Sequence, residues 1–189
     1  SLPKWVGAAK EKKAAILNEW KPPRFWPMRD RWLGRKVGLL CMIREGEKSR
    51  KFSDLGGVLA KDCVDAKLEY LDLWQDGSAE AFAALFDRGE ISPVAGASEQ
   101  RGAGVILAVL ADVDPAKKGR TEDVMGAEAP IPDTVARVLV LAPGMQRPLY
   151  AGQFKEILGK GSETKLADRI ANILIRKYLV PECPAIGGK

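Results

Sequence analysis

A pair of aspartates after an apolar segment is the feature of this sequence best suited to catalysis. Asp112 and Asp114 follow the run VILAVL (105–110). Side chains alternate along a strand, so a strand over 104–113 directs both carboxylates to one side. Three cations come shortly after: Lys117, Lys118 and Arg120. Two carboxylates at a strand end, with cations to hold phosphates, are what two-metal nucleotidyl transfer needs.

This stretch resembles the DxD fragment of primase-type polymerases over about ten residues. The resemblance implies a metal-dependent, nucleotide-processing enzyme in which Asp112 and Asp114 hold the metal. The sequence departs from such polymerases because it has no histidine, so the histidine with which they hold nucleotide phosphates has no counterpart. Nucleotide processing is therefore the alternative function. The preferred function is non-catalytic, with no metal and no other cofactor.

Histidine and cysteine usage narrows the chemistry further. The absence of histidine excludes serine–histidine and cysteine–histidine catalysis. The three cysteines are odd in number and far apart, which argues against a disulfide framework and for a reducing intracellular compartment. Cytoplasm, virion and organelle matrix fit this equally well. The apolar runs are far too short to span a bilayer.

Positive and negative charges are unevenly distributed along the chain. Residues 1–52 carry 14 basic and 5 acidic groups, whereas residues 53–100 carry 3 basic and 10 acidic groups. Residues 101–133 carry 4 basic and 6 acidic groups, and residues 134–189 carry 9 and 4. Basic ends around an acidic middle predict a polyanion-binding or self-complementary protein rather than a small-molecule enzyme.

The stretch KPPRFWPMRDRWLGRK (21–36) predicts a contact arm. Its prolines favour an extended backbone, and each aromatic ring has about 150–250 Å² to bury. The rings could pack on the chain's own domain, on another protein or on exposed bases. In the last two cases the cations of the arm reach acidic groups or phosphates. The predicted contact residues are Arg24, Phe25, Trp26, Arg29, Arg31, Trp32, Arg35 and Lys36.

Two charged stripes are predicted on helices, because steps of three and four residues place side chains on one face. The acidic stripe on a helix over 54–76 is a solvated face, a docking face for a basic surface, or a divalent-cation site. The basic stripe on a helix over 163–180 serves solubility, phosphate binding or contact with a membrane surface. The acidic residues are Asp62, Asp65, Glu69, Asp72 and Asp76. The basic residues are Lys165, Arg169, Arg176 and Lys177.

The pattern predicts an α+β fold with a small mixed sheet of about three strands. Apolar runs predict strands over 36–44, 104–113 and 134–142. Apolar stripes at helical spacing predict helices over 4–20, 54–76, 79–88, 149–158 and 163–180. Loops are predicted over 90–104 and 114–133, and an all-helical chain is the alternative. We expect residues 1–36 to form an N-terminal helix and arm, and residues 37–189 to form a single domain.

Together these features predict a non-catalytic structural protein of a larger assembly, such as a capsid or a ribonucleoprotein particle. Its basic N- and C-terminal segments would bind nucleic acid without sequence specificity, and RNA is the expected kind of nucleic acid. The other expected partner is an acidic surface of another protein, including another copy in a homo-oligomer. Peripheral membrane contact is the weaker alternative.

Overall fold

Two long apolar strands form the centre of the sheet in the computed structural model, which describes residues 36–65, 68–74 and 78–174. The strands β1 (Lys36–Glu45) and β4 (Ala103–Val113) pair in parallel along their whole length. Nearly every side chain in both strands is buried. A strand that is covered on both faces is apolar throughout rather than alternating. This explains why neither run shows a period of two.

Within the described residues, shorter strands extend this centre on both sides into a six-stranded mixed sheet. β7 (Thr134–Leu141) and β8 (Tyr150–Glu156) continue it in antiparallel fashion beyond β4. On the other side, β1 pairs with two short strands: β2 (Lys48–Lys51), antiparallel, and β3 (Tyr70–Asp72), parallel. A separate hairpin consists of β5 (Thr121–Val124) and β6 (Ala127–Pro130).

Helices cover both faces of the sheet. On the first face lie α1 (Ser53–Asp65) and α4 (Glu163–Ala171), which bury residues such as Leu59 and Ile170 against the sheet. On the second face lie α2 (Ala79–Arg88) and α3 (Ser92–Gln100), whose Phe82 and Val94 pack over β1 and β4. The domain therefore has three layers with one apolar core on each side of the sheet.

Both ends of the described chain lie where β1 and β4 begin, which we call the entry end of the sheet. Lys36 is the first residue of β1. α1 and α4 begin side by side, where Thr164 Oγ1 donates to Asp54 Oδ2 at 3.1 Å, and they pack along each other. α1 leads towards β3, which pairs with the first residues of β1. α4 therefore also runs towards the entry end, and the described chain stops there at Leu174.

The predicted small three-stranded sheet is wrong, and so is the all-helical alternative. The three predicted strands are present as β1, β4 and β7, but β2, β3 and β8 join them in one larger mixed α/β fold, which has four helices within the described residues. The missed strands are short or rich in polar residues, as KSRK in β2 shows. Such strands form because a neighbouring strand offers backbone partners, and a local pattern does not reveal that neighbour.

Several predicted element boundaries are also wrong. The helix over 54–76 ends at Asp65 and is followed by β3, and the helix over 149–158 is the strand β8. The predicted loop over 90–104 contains α3, and the loop over 114–133 contains the hairpin. The helix over 79–88 is confirmed, with Gly89 in the left-handed conformation at its end. The helix over 4–20 lies outside the described residues.

Candidate functional site

The two aspartates of the alternative enzyme hypothesis line a common cavity. Asp112, near the end of β4, and Asp114, just after it, border a cavity of about 310 Å³. Lys117 and Lys155 line the same cavity. The structure therefore brings the predicted carboxylates together, with lysines beside them.

The Asp112 carboxylate is held by an arginine from the neighbouring strand. Arg44 donates to Asp112 Oδ1 from Nε at 3.2 Å and to Oδ2 from a terminal nitrogen at 2.9 Å. The same guanidinium donates to both oxygens of Asp87 at 2.7 and 3.0 Å, and Arg137 lies 3.5 Å from Asp87. These hydrogen bonds raise the pKa of Arg44 and lower the pKa of Asp87. Both oxygens of Asp112 thus already bind a permanent cation.

The Asp114 carboxylate stabilises a turn. Its Oδ1 accepts from the backbone N–H of Ala116 at 2.9 Å, and its own backbone N–H donates to the Asp133 carbonyl at 2.7 Å. Within the described ranges, no cluster of three or more cysteine or carboxylate side chains is arranged to hold a metal ion. The pair therefore belongs to an ion-pair network and a turn, and its role as a metal site stays a prediction.

Neither described cysteine is placed to act as a nucleophile. Cys41 and Cys63 are both buried and carry free thiols. Burial raises the pKa of Cys63 to about 12, with a smaller contribution from Asp62, and burial likewise raises the pKa of Cys41. Both side chains are neutral at physiological pH and serve as core residues.

Of the predicted nucleic-acid or partner contact residues, the structure describes three. Lys36 and Lys165 are exposed, and neither side chain makes an ion pair with a described residue. Arg169 contacts Glu156 at 3.2 Å and also donates to the carbonyl of Ile157. The others lie outside the described residues: Arg24, Phe25, Trp26, Arg29, Arg31, Trp32, Arg35, Arg176 and Lys177. Their contact roles stay predictions.

The predicted acidic stripe does not lie on one helix face. Asp62 is buried on α1, whereas Asp65 is exposed at the end of that helix. Glu69 precedes β3, and Asp72 within β3 forms an ion pair with Lys51. Asp76 lies outside the described residues. Because α1 ends at Asp65, the acids are divided between α1 and the segment at β3, and their docking role stays a prediction.

A groove between α1 and β3, which we call the α1–β3 groove, was not predicted from the sequence. It has a volume of about 300 Å³, and its floor contains Leu39 and Cys41 of β1. Gly56, Gly57 and Ala60 of α1 form one wall, while Tyr70 and the Lys51–Asp72 ion pair form the other.

The adjacent glycines of α1 were the signal in the sequence for this groove. A glycine inside a helix costs about 1 kcal/mol relative to alanine. A Cβ added at Gly56 or Gly57 would meet no neighbouring atom within 4 Å, so the packing of the described domain does not require glycine at either position.

The folded domain and the terminal segments differ in charge. The described residues carry 17 basic and 20 acidic groups, a net charge of −3. Residues 1–35 carry 9 basic and 3 acidic groups, and residues 175–189 carry 3 and 1. The excess of positive charge in this protein therefore lies in its terminal segments, which join the domain at the entry end. In the described ranges, every helix falls short of the length and apolar character needed to cross a bilayer.

Comparison with known proteins identifies no family. No protein-family profile matches the chain, and no curated protein matches it significantly. The LpoB C-terminal domain from Salmonella enterica is similar at 10% identity with a TM-score of 0.38, over 74% of this chain and 98% of that one. The hypothetical protein CT253 from Chlamydia trachomatis is similar at 17% identity with a TM-score of 0.40, over 80% and 95%. Likenesses this weak carry no conclusion about function.

Proposed function

We propose that this protein binds nucleic acid without sequence specificity through its two basic terminal segments, as a non-catalytic component of a nucleic-acid-containing assembly. RNA is the first candidate. The folded domain carries the segments and supplies contacts with other components.

The separation of charge is the observation that supports this proposal. A domain of net charge −3 has no excess of cations to offer a polyanion, whereas the terminal segments together carry a net charge of +8. Because both described chain ends lie at the entry end, the two segments start on one side of the domain. A single polyanion can therefore contact both segments, and their charges attract it together.

Binding of this kind depends on salt in a way that can be calculated. Each neutralised phosphate of a single strand contributes about −0.7 to the slope of log K against log salt. About six contacts therefore give a slope of about −4. Replacing four arginines should reduce its magnitude by about 3.

The test measures binding of the full chain to a fluorescein-labelled single-stranded RNA by fluorescence anisotropy over a range of salt concentrations. The arm variant carries glutamine at Arg24, Arg29, Arg31 and Arg35. The control variant, which loses the same charge from the described domain, carries glutamine at Lys48, Lys61, Arg120 and Arg147, all exposed and without an ion pair to a described residue. We expect the arm variant to lose affinity and slope and the control variant to retain most of both.

Two results would contradict the proposal. A salt-independent affinity would mean that phosphates are not the target, and equal losses in both variants would mean that only net charge matters. If the arm variant instead binds RNA normally but loses self-association, measured as its mass in solution, the basic segment binds an acidic protein surface.

A further inference from the structure

We infer that the α1–β3 groove holds the chain's own residues 21–35 when no nucleic acid is bound, so that RNA binding and groove binding compete for one segment. The competition rests on the function proposed above, whereas the docking itself does not.

The groove is open along α1. Apart from the chain neighbours and the backbone of α1 itself, no atom comes within 4 Å of where a Cβ would stand on Gly56 or Gly57, so another chain can approach the helix backbone closely. Ser53, Gly57, Ala60 and Val64 follow one another at helical spacing, so the wall of the groove continues towards the end of α1.

Apolar side chains are exposed beside this opening. Val64 is 60% exposed and Tyr70 is 42% exposed, although most large apolar residues of the described domain are buried. Beside the groove, whose floor residues Leu39 and Cys41 are themselves buried, these two side chains form an apolar surface that an aromatic side chain can cover. The described residues leave this surface open to solvent.

Charge around the groove fits a basic occupant. Asp65 and Glu69 are exposed, and neither forms an ion pair with a described residue. Asp72 adds a third carboxylate, which forms an ion pair with Lys51, a cation that also lines the groove. Residues 21–35 carry five basic groups and one acidic group, together with Phe25, Trp26 and Trp32. The segment thus offers aromatic rings for the exposed apolar side chains and cations for the carboxylates of Asp65 and Glu69.

The segment ends beside the groove. Arg35 directly precedes Lys36, and the next residue, Val37, donates its backbone N–H to the Glu69 carbonyl at 2.8 Å. An extended chain advances about 3.3–3.6 Å per residue, so residues 21–35 can reach about 50 Å from this point. The tether keeps the segment at a roughly millimolar local concentration, which favours weak apolar contacts within one molecule over contacts between molecules.

Photo-cross-linking of the full chain tests the docking. Benzoylphenylalanine replaces Trp26 or Trp32, and the cross-linked peptides are identified by mass spectrometry in an equal mixture of ¹⁵N-labelled and unlabelled protein. We expect peptides from residues 53–72, joined within one isotopic species. Peptides joined across the two species would mean that a second copy occupies the groove, and peptides from elsewhere, or none, would also overturn the inference.

A groove-filling variant supplies the second arm of the experiment. Gly56→Leu places a side chain in the groove without a clash at its Cβ, and Gly96→Leu in α3 is the matched control, because a Cβ there also meets nothing within 4 Å. We expect Gly56→Leu to abolish the cross-link and Gly96→Leu to retain it. Circular dichroism establishes that both variants are folded.

The two variants also separate this inference from the proposed function. If the segment is docked nine-tenths of the time, Gly56→Leu should bind the RNA about tenfold more tightly, and Gly96→Leu should bind like the wild type. Cross-links without RNA binding would contradict the proposed function and leave the docking inference standing. If the wild type and both variants bind RNA equally strongly and no cross-links form, only the docking inference is contradicted.

Discussion

Replacing Arg44 with methionine is expected to lower the free energy of unfolding by about 2–4 kcal/mol. The Arg44 guanidinium lies between two carboxylates, at 2.9 Å from Asp112 and 2.7 Å from Asp87. Its side chain is only 15% exposed. Methionine keeps the length of the buried stem but leaves both carboxylates without their main cation, and only the weaker effects of Arg137 and Arg88 remain at Asp87.

The magnitude follows from how much water reaches each partner. A hydrogen bond to a charged group contributes about 1.5–3 kcal/mol, and removing one partner of a buried ion pair costs about 3–5 kcal/mol. Asp112 is 26% exposed and Asp87 is 41% exposed, so both carboxylates recover part of their hydration when the cation is lost. The expected loss of about 2–4 kcal/mol therefore lies below the upper end of the combined range.

Urea unfolding of the full chain, extrapolated linearly to water, measures this loss. Arg88→Met is the matched control, because Arg88 contacts Glu90 on the exposed surface and should contribute nothing measurable. Arg44→Lys should fall between the two, since lysine keeps the charge but lacks the planar fork that reaches both carboxylates. If Arg44→Met unfolds at the same urea concentration as Arg88→Met, the network does not stabilise the domain.

Three further predictions test the core and its charges. The hydrogen bond from Arg44 lowers the pKa of Asp87, so its stabilising effect is present above the unfolded pKa near 4 and is lost as pH falls through the folded pKa. The urea midpoints of wild type and Asp87→Asn should therefore converge in acid, and a constant difference would refute this. Gly38→Val should cost about 1–3 kcal/mol in thermal melts, because its Cβ would lie 2.6 Å from a leucine side chain, and an unchanged melting temperature would be inconsistent with that contact. Iodoacetamide at pH 8 should modify the peptides containing Cys41 and Cys63 only after unfolding, because both thiols are buried and the pKa of Cys63 is about 12. Rapid modification of the native protein would show that the thiols are accessible.

Local sequence patterns predicted an element correctly wherever the segment itself contained the residues that determine its structure. The apolar runs over 36–44 and 104–113 predicted the central strands, because a short continuous apolar run is typical of a strand covered on both faces. Gly89 closes α2 as expected, and Ser162 accepts a hydrogen bond from the backbone of Lys165 at 3.3 Å to begin α4. The charge difference between the ends and the middle is also a property of the sequence alone.

The tertiary structure decided those elements whose conformation depends on a partner distant in the chain. Tyr150 and Phe154 are four residues apart, a spacing that also suits a helix, and pairing with β7 makes this segment a strand. Apolar residues continue at helical spacing after Asp65, so the sequence predicted that the helix would continue as well. Backbone pairing with β1 instead places residues 70–72 in the sheet.

The sites follow the same rule. The sequence places Asp112 and Asp114 near each other. It does not reveal that Arg44, which is 68 residues away from Asp112, forms an ion pair with the Asp112 carboxylate. The α1–β3 groove likewise exists only because α1 and β3 both pack beside β1. Side-chain type and spacing determine which groups are available, and long-range backbone pairing determines which of them meet, because the energy of a strand pair belongs to both strands and is absent from either one alone.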